Sequence, residues 1–103
     1  MKFIKTPVKG MCDMLPADMR LREHVLGMIK ESYGAHGFME IETPVMEHIE
    51  NLTSKQGGEN EKLIFKILKR GEKLAGAESQ QDLCDSGLRY DLTLPLSRYY
   101  AAN

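Results

Sequence analysis

An α+β fold with a mostly antiparallel sheet is predicted by the order in which two hydrophobic periods occur along these 103 residues. A long stretch with the 3.6-residue period of an amphipathic helix comes first. Short segments with the two-residue period of strands come after it, bounded by Gly and Pro. The chain reads as one domain over residues 1–103. A chain of this length is one domain at most and buries roughly two-thirds of its unfolded surface.

Residues 1–14 are expected to be extended and irregular, broken by Pro7 and Gly10. Leu15 and Pro16 open the helix, and Asp18 in its first turn complements the helix dipole. Leu21, Val25, Met28 and Ile29 form one apolar stripe, opposite Arg20, Glu23, Lys30 and Glu31, and the expected role of that stripe is core packing. Gly27 and Gly34 each weaken the helix interior by about 1 kcal/mol relative to Ala, so packing must hold it. Gly37 is a natural stop, since glycine accepts the left-handed conformation required there.

Residues 38–42 alternate and read as a strand, with Phe38, Glu40 and Glu42 on one side and Met39 and Ile41 on the other. Pro44 ends regular pairing or places it at an edge. Residues 47–54 are expected to form a short helix, 56–60 a mobile loop and 63–68 a second strand, with Gly71 as the turn signal. The polar segment 76–86 is poor in strand formers and reads as a hairpin tip. A strand over 88–93 and a helix from Leu94 to about Ala102 complete the chain.

Composition limits the function classes. A net charge of −1 argues against a phosphate-binding surface. The loose cluster Lys62, Lys66, Lys69, Arg70 and Lys73 is expected to be the solvated side of a hairpin. Cys12 and Cys84 lie far apart without metal-ligand spacing, and His24, His36 and His48 suit surface or helix-end positions, so no metal site is expected. Two free thiols and seven methionines suit a reducing cytosol, and the expected location is cytoplasmic. No long apolar run suggests a membrane span. Glu40, Glu42 and Glu47 do not form a general acid–base pair, and Ser79, Ser86 and Ser97 lack the context of a nucleophile; no catalytic residue is assigned.

The most informative segment begins at Gly87. Leu88, Tyr90, Leu92 and Leu94 alternate with Arg89, Asp91 and Thr93, and Pro95 stands where a helix begins. On a strand, Asp91 and Thr93 point to one side, so the carboxylate can pair with an ammonium while the hydroxyl hydrogen-bonds the same ligand. A solvated strand face with a Thr cap is the alternative reading of the same pattern. Arg89 shares that side and can support Asp91 or reach the nucleotide region, and a structural salt bridge is its expected role. Arg98 and Tyr99 belong to the framework.

The segment LRYDLTLPLSRYYA, residues 88–101, resembles the LRYDLT-P-ARY segment of histidyl-tRNA synthetases, which are class II aminoacyl-tRNA ligases. KGMCDMLPADMRLRE, residues 9–23, resembles the KG-RD-LP opening of that family, with Cys12 where the family often has Arg. YGAHGFMEIETPVME, residues 33–47, resembles class II motif 1. The three segments stand in the family's order; residues 69–85 match nothing familiar and are longer and more polar than the expected hairpin.

The resemblance implies the class II catalytic fold and two-step aminoacylation. Histidine and ATP, with Mg²⁺, give histidyl-adenylate, and the histidyl group passes to tRNA(His). It assigns Asp91 and Thr93 to the α-amino group of histidine, with Arg89 as a further candidate. It assigns Gly34, Gly37 and Pro44 to motif 1, through which the family forms homodimers. Motifs 2 and 3 and the anticodon-binding domain are not among these residues. The chain is therefore expected to be the amino-terminal part of a synthetase catalytic domain, inactive alone and binding neither ATP nor Mg²⁺ by itself. Two other readings stay open. One is the histidine-biosynthesis regulatory paralogue, which binds histidine and partners a phosphoribosyltransferase; the other is a stand-alone dimerisation module.

Overall fold

The computed structural model describes residues 2–53 and 62–103. Two compact units divide the chain, Met1–Ile41 and Glu42–Asn103.

The first unit is built on helix α1, Pro16–Ala35. Pro16 takes the first position, where its missing N–H costs no hydrogen bond, and Asp18 lies in the first turn as expected. Before it, residues 2–14 hold no regular element, and a turn closes from the Met11 N–H to the Val8 carbonyl at 2.9 Å, with Gly10 at φ 87°. At the far end Gly37 adopts φ 84°, the left-handed stop expected of it. Its N–H reaches the Gly34 carbonyl at 3.1 Å, and the Phe38 N–H reaches the Tyr33 carbonyl at 3.1 Å. These are the two bonds of a Schellman motif, and its usual apolar contact is present too: the Tyr33 and Phe38 rings meet edge-on with centroids 5.4 Å apart.

Two expectations fail in this unit. Residues 38–42 form no strand, because alternation supplies two faces but no partner, and no described strand pairs with them. The stripe of α1 is not a core either. Leu21 is 64% exposed and Met28 59%, and α1 contains no buried residue. Within its own unit no second element lies opposite the helix, so the periodic face has nothing to pack against.

The second unit holds a three-stranded antiparallel sheet in the order β1-β3-β2. Its strands are β1, Met46–His48; β2, Lys66–Leu68; and β3, Cys84–Leu88. Glu47 pairs with Gly87 on one side, and Lys66 with the same Gly87 on the other. Helix α2, Ile49–Leu52, comes directly after β1, with His48 at its amino-terminal cap. Helix α3, Glu72–Ala75, sits in the β2–β3 connection after Gly71, which has φ 63°. Helix α4, Thr93–Ala102, closes the chain.

The small core lies under the central strand. Leu52 is 6% exposed and Ile64 9%, and both press on Gly87. A Cβ at position 87 would lie 2.9 Å from Leu52 Cδ1, 3.1 Å from the Phe65 carbonyl oxygen and 3.2 Å from Ile64 Cγ2. A side chain there would force Leu52 and Ile64 to shift and would crowd the Phe65 carbonyl.

The strands are displaced from their expected positions. The helix expected over residues 47–54 begins after a strand that includes Glu47, and only Ile49–Leu52 is helical. The strand expected over 63–68 is confined to Lys66–Leu68. The polar segment 76–86 is not a hairpin tip: it forms a 3₁₀ turn, Gln80–Leu83, and then most of the central strand. That central strand ends at Leu88, where the strand expected over 88–93 would begin. The helix start near Leu94 agrees with the structure to one residue. Ser54 and the loop expected over 56–60 lie outside the described residues.

Candidate functional site

Residues 89–98 run from the end of β3 into α4 and carry the polar side chains singled out in the sequence. Leu88 and Arg89 extend the ladder past the strand on both sides. The Leu88 N–H donates to the Phe65 carbonyl at 2.8 Å, and the Arg89 N–H to the Val45 carbonyl at 3.0 Å. The backbone then bends, and Asp91 caps the start of α4: its Oδ1 accepts a hydrogen bond from the Thr93 N–H at 3.0 Å. An aspartate two residues ahead of a free helical N–H is a local turn-and-cap device that needs no neighbouring strand.

Asp91 and Thr93 are therefore brought together, though by capping and not by a strand pleat. Both are exposed, and among the described residues Asp91 forms no ion pair. The carboxylate lies at the amino-terminal end of α4, where the peptide dipoles favour negative charge. One oxygen is fixed by the cap, and the other is directed by it. An exposed carboxylate so oriented suits an ammonium group.

Arg89 is placed elsewhere. Its Nη1 donates to the Thr43 carbonyl at 2.9 Å, to Thr43 Oγ1 at 3.0 Å and to the Pro44 carbonyl at 3.2 Å. The salt bridge expected of it is replaced by bonds to neutral oxygens, which tie the end of β3 to the Thr43–Pro44 corner. Pro44 is exposed, and a Cβ at Gly34 would meet no described atom within 4 Å.

Sequence reasoning missed the pairing of Arg98 with Glu47. Arg98 Nε donates to both carboxylate oxygens, at 3.1 and 2.9 Å, and the Glu47 side chain is 3% exposed. The only local signal was a Glu inside an otherwise strand-like triplet; its partner lies in another element. The pair borders an open concavity of about 350 Å³ together with Pro44, Met46, His48 and Ser86.

The remaining candidates are framework or surface. Lys69, Arg70 and Lys73 line a second open concavity of about 360 Å³ in the β2–β3 hairpin, shared with Asp85, and Lys62, Lys66, Arg70 and Lys73 are exposed. His36 follows the last residue of α1, with Nδ1 2.8 Å from the Ser32 carbonyl oxygen, and His48 stands just before α2 without a side-chain capping bond. Both cysteines are free. Among the described residues no three His, Cys, Asp or Glu side chains converge as metal ligands, and no helix is long and apolar enough to cross a membrane.

Residues 10–103 match a family model described as Histidyl-tRNA synthetase. The histidine–tRNA ligase of Leifsonia xyli subsp. xyli (strain CTCB07) is 52% identical over 104 residues, covering 95% of this chain and 24% of that protein. The crystal structure of histidyl-tRNA synthetase from Nostoc sp. PCC 7120 resembles this chain with a TM-score of 0.75 at 29% identity, over 98% of this chain and 20% of that one. An ATP phosphoribosyltransferase regulatory subunit/histidyl-tRNA synthetase from Bacillus halodurans C gives a TM-score of 0.66 at 24% identity, over 100% of this chain and 24% of the other, a likeness of fold alone. The chain thus spans about a quarter of the length of the curated relative.

Proposed function

This chain belongs to the histidyl-tRNA synthetase family, and we propose that it forms the part of a histidine–tRNA ligase that holds the amino group of histidine. The observation that carries the reading is the capped Asp91. Its carboxylate is oriented by the Thr93 N–H, exposed, and free of any cation among the described residues.

The proposed chemistry begins with the ammonium of histidine pairing with Asp91 and hydrogen-bonding Thr93. That contact neutralises the ammonium and leaves the substrate carboxylate as the nucleophile. One carboxylate oxygen attacks the α-phosphorus of ATP, pyrophosphate leaves, and histidyl-adenylate forms. The terminal ribose hydroxyl of tRNA(His) then takes the histidyl group and AMP is released. The residues on this chain contribute position: holding reactants in line supplies much of the rate in such transfers. Homodimer formation through the motif 1 segment with Gly34, Gly37 and Pro44 belongs to the same proposal.

A second reading, the histidine-binding regulatory paralogue, is favoured only by the fold likeness to the Bacillus halodurans protein. The two part at ATP. A chimera in which residues 10–103 replace the matched segment of the Leifsonia xyli ligase should catalyse histidine-dependent ATP–pyrophosphate exchange. The Asp91→Ala change in that chimera should weaken histidine binding by about 2–4 kcal/mol, the usual cost when an ammonium loses its charged partner. An unchanged Michaelis constant for histidine would reject the assignment of Asp91. Exchange in the chimera reads the histidine-holding role of residues 10–103 alone, because the rest of the ligase supplies the ATP site.

A further inference from the structure

We propose that residues 43–47 and two arginines form a two-point clamp that positions the histidine-binding segment, with the Glu47–Arg98 pair as its decisive half. The clamp rests on the assignment of Asp91 and Thr93 to the amino group of histidine. Asp91 and Thr93 lie between Arg89 and Arg98 along the chain, and both arginines grip the same short stretch. Arg89 Nη1 holds the Thr43 and Pro44 carbonyls, and Arg98 Nε holds both oxygens of Glu47. The first contact precedes the Asp91 turn, and the second anchors α4 beyond it.

The two grips differ in kind. Arg89 bonds neutral oxygens, each of which water can satisfy when the corner is exposed. Glu47 is a buried carboxylate on β1, 5% exposed, and its hydrogen bonds come from Arg98. A buried charge without its partner is strongly unfavourable, so this contact resists letting go. Glu47 is itself fixed in register against Gly87 of the central strand, where Leu52, Ile64 and the Phe65 carbonyl crowd the backbone. Pro95, fully buried, adds an apolar anchor one turn before Arg98. The path is continuous: β3 fixes β1, β1 carries Glu47, Glu47 holds Arg98, and α4 sets where its own first turn, and so Thr93 and the cap from Asp91, can lie. Glu47 and Arg98 are positioning residues; neither touches substrate.

The test uses the same ligase chimera. Arg98→Gln should raise the Michaelis constant for histidine about tenfold, as a small misplacement of a binding group does, and leave that for ATP within about twofold. Arg98→Lys, which restores the charge on a less directional group, should recover part of the loss. A folded Arg98→Gln enzyme with a lower Tm and an unchanged histidine constant would overturn the clamp and make the pair mere scaffold. If Arg98→Gln does not fold, the double change Glu47→Met with Arg98→Met removes both charges and avoids the orphaned carboxylate. A raised histidine constant in that double variant supports the clamp, and an unchanged one overturns it. Asp91→Ala separates the two levels. Without effect on histidine, it removes the amino-group assignment and the clamp with it; with its expected effect beside a silent Arg98→Gln, it removes the clamp alone.

Discussion

The unit Met1–Ile41 has the longest regular element and, among its described residues, none that is buried, whereas the unit Glu42–Asn103 is built of short elements and contains the core, the half-buried Glu47–Arg98 ion pair and the candidate site. Regularity and packing are thus separate achievements. Helix α1 runs for 20 residues on local signals alone: Pro16 at its start, Asp18 in its first turn, Gly37 at its stop. The sheet unit depends on contacts between residues far apart in sequence, such as Glu47 with Gly87 and with Arg98. Local signals can specify a helix, but they cannot bury it, and a fixed polar site requires the second kind of contact.

This contrast can be broken by substitution. The largest stability effect is expected at Gly87, where Gly87→Val puts carbon against Leu52, Ile64 and the Phe65 carbonyl; we expect a loss of about 3 kcal/mol. The urea midpoint of the 103-residue chain reads it, and a shift worth less than about 1 kcal/mol would mean that the core is looser than its distances indicate. A smaller effect, about 1 kcal/mol, is expected from Gly37→Ala, because alanine resists the left-handed region. Hydrogen exchange should show that loss at the last turn of α1 and leave the β3 amides unchanged. The smallest effect belongs to the stripe. Leu21→Gln with Met28→Gln should alter the stability of the chain by less than about 0.5 kcal/mol, as exposed positions do. A cooperative loss of several kcal/mol would show that the stripe is packed after all and would remove the contrast between the units.

The same division explains what could be read in the sequence. The stop at Gly37 was legible because every group in a Schellman motif lies within a few residues. The start of α4 was legible for the same reason. The pairing of Asp91 with Thr93 was legible as a juxtaposition, although its cause is a cap and not the expected pleat. The strands were not. Residues 38–42 alternate without a partner, whereas Cys84–Leu88, with Asp85, Ser86 and Gly87 inside it, is the central strand because two others bond to it. Its membership is decided by neighbours distant in sequence, and single-residue preferences count for little against that. Glu47 was set aside as no acid–base group and Arg98 as framework, because nothing local announces that a carboxylate will be buried.

Gly87 also has an evolutionary consequence. The space a Cβ would need is held by Leu52 and Ile64, so positions 52, 64 and 87 share one fixed volume. A larger residue at 87 becomes acceptable only when 52 or 64 shrinks, and the backbone oxygen of Phe65 cannot shrink at all. Lineages that depart from glycine here should therefore change in pairs, and a designer seeking a variant of this strand should exchange the set and not its members one at a time.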